Sequence, residues 1–105
     1  MDDIINLLVE STSVDEDFNN VATYRRKQVF CRVRSVTMTE FYNAGQAGLS
    51  PAYIFEVFRG DYNGEKLLEF KGQRYAVYRT YHRVQDDTIE LYAEDKAGVT
   101  DGDVN

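Results

Sequence analysis

The sequence predicts a mainly β protein: a small antiparallel β-barrel of six or seven strands, with one short helix at about residues 38–47 in a long loop. Three observations carry this. Apolar and polar residues alternate with a period of two in several short runs. Turn residues separate those runs at close spacing. The period changes in only one place, between Val36 and Pro51. With 105 residues the chain has room for one domain of ordinary size. We assign residues 1–99 to that domain and residues 100–105 to a flexible tail.

Ile4–Ser13 reads as a first strand, followed by the acidic loop Asp15-Glu16-Asp17. Val21–Arg25 is a weaker strand. In Gln28–Val36, Val29, Cys31 and Val33 share one side while Phe30, Arg32 and Arg34 share the other. Cys31 therefore falls on the apolar side, where it reads as a small buried hydrophobe. The run Arg25-Arg26-Lys27 reads as a solvated strand edge, where charge discourages stray pairing.

Thr37-Met38-Thr39-Glu40 fits a capping box, in which Thr37 accepts from the amide three residues on and Glu40 reaches back. Val36 and Phe41 then occupy the two positions of a hydrophobic staple. The helix should stop near Gly45 or Gly48, and Pro51 opposes its resumption.

Ala52–Arg59 returns to strand character, with Tyr53, Phe55 and Val57 opposite Ile54, Glu56 and Phe58. Gly60–Gly64 is a turn. Lys66–Phe70 and Arg74–His82 flank Lys71-Gly72 as a hairpin. In its second arm Tyr75, Val77, Arg79 and Tyr81 should face one way, and Ala76, Tyr78, Thr80 and His82 the other. Thr88–Ala93 is the last strand, with Ile89 and Leu91 inward. From Asp95 onward the chain reads as a loose tail.

Charge is segregated. Residues 1–20 hold six acids and no base, residues 21–85 hold 11 bases and five acids, and residues 86–105 hold seven acids and one base. The total of −6 disfavours a nucleic-acid binder. Its distribution suits an oligomer in which the acidic edge of one copy meets the basic flank of the next, a head-to-tail contact that closes into a ring. No secretory signal or membrane-length apolar run is present in the sequence, so a soluble, intracellular chain is expected.

Chemistry is sparse. One cysteine and one histidine cannot form a disulfide or a zinc site of those residues within one chain. His82 has no nucleophile elbow to serve and reads as a partly exposed strand residue. Asp61–Glu65 and Asp101–Asp103 lack the ligand spacing of a calcium loop, and Gly45–Gly48 lacks the lysine of a phosphate loop. Interleaved Tyr75, Tyr78 and Tyr81 with Arg74, Arg79 and Arg83 resemble a stacking platform for single strands, but half of that cluster must face the core, which weighs against it. We expect no enzyme activity and no cofactor.

Four segments, taken in order, resemble the small head closure (head–tail joining, or stopper) proteins of long-tailed phages and prophages. They are Glu40–Leu49, Tyr62–Lys66, Tyr75–Tyr81 and Ile89–Tyr92. The resemblance spans roughly Gln28 to Val99. It implies a structural β-barrel that assembles as a ring in the virion, after synthesis in the host cytoplasm. Such a ring lies beneath the portal and adaptor, helps to close the DNA-filled head and offers a surface to the tail completion or terminator protein. Genomic DNA passes through without specific binding, and no membrane is involved. The segment from about Thr37 to Pro51 corresponds to the family's loop near the channel or neighbouring rings. Glu40, Phe41, Tyr42, Gln46 and Leu49 are then the expected protein-contact residues. For Phe41 the staple position favours docking on its own barrel instead; for Tyr42 both roles stay open. The alternatives are another connector ring (an adaptor, which would be richer in helix, or a tail terminator) and a small single-strand nucleic-acid-binding barrel.

Overall fold

A computed structural model describes residues 1–96, in which six strands close into an antiparallel barrel. The strands are β1 (Asp3–Val14), β2 (Asn20–Ser35), β3 (Pro51–Phe58), β4 (Leu67–Phe70), β5 (Gln73–Arg83) and β6 (Thr88–Asp95), and the one α-helix among the described residues is α1 (Met38–Gln46). Around the barrel the order is β1-β2-β3-β6-β5-β4, with β4 returning to β1. Closure leaves the body of the sheet without free edges.

The inward residues follow the period-two pattern. Ile5, Leu7, Val29, Cys31, Phe55, Val57, Leu68, Leu91 and Ala93 are all buried. At the centre, Tyr53, Phe55, Phe70 and Tyr75 pack at ring separations of 5.4–5.7 Å in tilted or edge-on pairs, the arrangement that ring quadrupoles favour. Burial pushes the Cys31 thiol up to about 12, so it stays a protonated, unreactive core group.

Three details depart from the expectations above. The separate strands at 21–25 and 28–36 are one 16-residue strand. They join because β2 pairs with β1 in an unbroken register from Asp3↔Cys31 to Val14↔Asn20. As expected, the Arg25–Lys27 run lies on a strand edge, since there only β1 pairs with β2, and Arg26 and Lys27 pair with Glu69 and Glu65. At the other end β6 runs through Asp95, opposite Tyr75, and the Lys96 N–H donates to the Arg74 carbonyl at 3.0 Å. Residues 95 and 96 are therefore part of the barrel rather than a tail; the 100–105 segment lies outside the described residues. Finally, the β5–β6 register shifts between Val77 and Arg79, which breaks the alternation expected for the second arm of the hairpin.

The β4–β5 turn has Lys71 at φ 52° and Gly72 at φ 77°. Two consecutive positive φ values match the right-handed twist of a two-residue hairpin. No helix among the described residues is long and apolar enough to cross a membrane.

Candidate functional site

Helix α1 lies against the outer wall of the barrel, and its two ends are fixed locally. Thr37 is extended at φ −69°, ψ 158°, and its hydroxyl oxygen accepts from the Glu40 N–H at 3.1 Å. At the other end Gly48 adopts φ 84°. The Gly48 N–H donates to Gly45 O and the Leu49 N–H to Ala44 O, both at 3.0 Å. This paired closure is a Schellman motif. Of the two expected stops, Gly48 is the one used.

The capping box is only half formed. The Glu40 carboxylate turns away from the helix end to the barrel wall. Its Oε2 accepts from the Tyr78 hydroxyl at 2.7 Å and from Arg79 Nε at 3.2 Å, while Oε1 accepts from Arg79 Nη2 at 2.5 Å. Successive strand residues ordinarily face opposite ways. The register shift at Tyr78 lets both Tyr78 and Arg79 reach one carboxylate. The Arg79 guanidinium holds Glu40 below the ordinary carboxylate range, aided by Tyr78. Burial and then Glu40 push the Tyr78 hydroxyl upward, so it remains a neutral donor.

From this clamp a polar network crosses the outer wall. Arg79 lies 3.6 Å over the Tyr92 ring. Tyr92 donates to Glu90 at 2.8 Å, and Glu90 also accepts from Arg34 at 2.5 Å. Arg83 approaches Glu90 at 3.8 Å and Glu56 at 3.0 Å; Arg32 meets Glu56 from the other side at 3.3 Å. Each of the three carboxylates, Glu40, Glu56 and Glu90, is engaged by at least one arginine. The arrangement therefore stiffens the wall under α1 and leaves these acids committed to structure.

Glu40 and buried Ala44 face inward; away from them α1 carries Met38, Phe41 (at the flank, three residues before Ala44) and Tyr42. They are 82%, 55% and 65% exposed, and their i, i+3, i+4 spacing puts them on one face. A helix normally buries such a stripe; this one presents it to solvent. Phe41 thus does not serve as the expected anchor of the helix onto its own barrel, and Tyr42 also faces outward. Gln46 is exposed at the last turn and Leu49 is half-buried behind it. The structure brings Glu40, Phe41 and Tyr42 onto one short element in two roles, clamp and outward surface. Met38 joins that surface and was not singled out from the sequence, although its spacing to Phe41 and Tyr42 carried the signal.

The stacking platform does not assemble. Tyr75 is in the core, Tyr78 is held by Glu40, and Arg83 is drawn to Glu56; of the three tyrosines only Tyr81 stands exposed. Among the described residues no group of three or more His, Cys, Asp or Glu side chains is placed to hold a metal ion. In comparisons with known proteins, the chain matches no family model and no curated protein.

Proposed function

We propose that this chain is a structural ring component of a phage head–tail junction, which closes the DNA-filled head beneath the portal or adaptor and offers a surface to the tail. The observation that carries this reading is the outward stripe of Met38, Phe41 and Tyr42 on a helix whose other face is clamped to a stiff barrel wall. Aromatic side chains held on a rigid support are the anchors that protein–protein interfaces use. The resemblance of Glu40–Leu49, Tyr62–Lys66, Tyr75–Tyr81 and Ile89–Tyr92 to head closure proteins supplies the partners: the portal or adaptor ring, the tail completion protein and further copies of the chain.

The charge pattern supports the same role. A net charge of −6 per copy, multiplied around a ring, repels a passing duplex on average. Each phosphate neutralised by Lys or Arg would instead add salt-dependent affinity that hinders passage. The test is electron microscopy of particles assembled without this protein. Filled heads that leak DNA and lack tails are expected; normally tailed particles would overturn the proposal.

A further inference from the structure

The β1–β2 hairpin continues well past the barrel. Strand β4 reaches β1 only at Asn6–Leu8 and β3 reaches β2 only at Arg32–Ser35, whereas β1 and β2 remain paired out to Val14↔Asn20. The overhang is a two-stranded arm in which none of residues 9–26 is buried. A ribbon of two strands is marginal in water, so this one gains from being covered.

Its tip is ordered. Asp15 Oδ1 accepts from the Asp17 and Asn19 N–H groups, each at 2.9 Å. The Phe18 N–H donates to Asp15 O, and the Asp15 N–H to Asn19 O, each at 3.0 Å. This loop forces Phe18 to φ 64° and leaves it 88% exposed. A left-handed backbone favours Gly or Asn and is costly for a bulky residue. A strained phenylalanine that contributes almost no burial to its own chain points to a use outside that chain. Around it Asp15, Glu16 and Asp17 place three negative charges.

A complementary surface runs along the same arm, from Val21 and Ala22 beside the tip to Leu8 and Arg26 at the barrel. An open groove there is lined by Leu8, Val21, Ala22 and Tyr24 together with Arg26 and Arg74. The two arginines share Glu69 and form the basic side of the groove. Apolar walls with basic groups beside them suit an aromatic ring flanked by carboxylates.

We infer that Phe18 and its acidic loop form the plug of a head-to-tail contact between two copies of this chain, seated in the groove that runs along the neighbour's arm. The contact is heterologous, since tip and groove are different surfaces, and repetition makes a ring when the rotation closes. This inference rests on the ring reading above and names the contact that builds the ring.

Cross-linking tests it directly, because buried Cys31 is silent toward maleimides in the folded protein. Phe18→Cys and Ala22→Cys proteins are prepared separately, mixed, and treated with a short bismaleimide. A cross-linked dimer severalfold more abundant in the mixture than in either protein alone, and reduced by high salt, is expected. Equal yields in the mixture and in Phe18→Cys alone, or no dimer, would overturn the contact. Phe18→Gly supplies a readout of opposite sign. Relief of the backbone strain should raise the monomer's melting temperature, while loss of the ring weakens self-association roughly tenfold, as removal of an interface anchor does. If the native chain and Phe18→Gly assemble equally in light scattering, the arm contact fails and the ring stands. If the native chain stays monomeric at every concentration and salt tried, the ring reading fails and the contact with it.

Discussion

Glu56 and Glu90 sit directly opposite each other on β3 and β6, both nearly inaccessible to solvent on the outside of the barrel. Like charges at such positions repel, and here Arg83 bridges them, with Nη1 3.0 Å from Glu56 and 3.8 Å from Glu90. Removing one member of a buried ionic cluster leaves charge uncompensated. Arg32 and Arg34 stay on the two acids and Arg83 is partly exposed, so Arg83→Leu is expected to cost about 1–2 kcal/mol in urea unfolding, less than the loss of an isolated buried partner. Adding Glu90→Gln to that variant should recover part of the loss, since the repulsion disappears with the second charge; strict additivity in the double-mutant cycle would contradict the coupling.

Acid should loosen α1 through Glu40. Its carboxyl is held below the ordinary value of 4.5, first by the hydrogen bond from Arg79. For a depressed acid the stabilisation is fully present above the unfolded value and is lost as pH falls through the folded one. Stability of the native protein should thus decline below about pH 4.5, and Glu40→Gln should flatten that part of the profile. Glu69, depressed by Arg26 and then by Arg74, adds a slope of the same sign that Glu40→Gln leaves in place. Amide exchange within α1 should rise in the variant while exchange in the barrel core stays unchanged.

The outward stripe should separate stability from assembly. Met38, Phe41 and Tyr42 are mostly exposed, so changing each to Ser should cost about 1 kcal/mol or less in unfolding, well below the truncation of a core residue. The combined variant should nevertheless fail to support tail attachment in particle complementation. Restored attachment would remove the stripe from the working surface.

Lys71 occupies a left-handed position that Asn tolerates better. Its ammonium also lies 5.3 Å from the Phe70 ring centre, a weak exposed attraction. Strain relief should exceed that loss, so Lys71→Asn is expected to raise the melting temperature by a few degrees, about 0.5–1 kcal/mol of gain for a domain of this size. A lower melting temperature would show that the Lys71–Phe70 contact outweighs the backbone term.

The barrel was legible because its wall alternates: Val29 and Cys31, or Phe55 and Val57, each point inward with a polar or exposed residue between or beside them. Residues 21–27 hid the continuity of β2 because the arm is wet on both faces, and a strand with no buried side carries no alternation to read. The helix start and stop were visible in Thr37 and Gly48, whose roles are local. The destination of Glu40 was not, since Tyr78 and Arg79 meet it only through a register shift 38 and 39 residues further along the chain. Burial of Glu56 and Glu90 was equally hidden, because it depends on arginines from β2 and β5 converging on the same patch.

Since α1 rests on the barrel through the small side chain of Ala44 and the single carboxylate of Glu40, the fold places almost no demand on its other positions. The other positions of this nine-residue helix can therefore be rewritten for a different neighbour without renegotiating the scaffold beneath it. Related chains could diverge fastest at this point, exchanging what they grip while keeping how they fold.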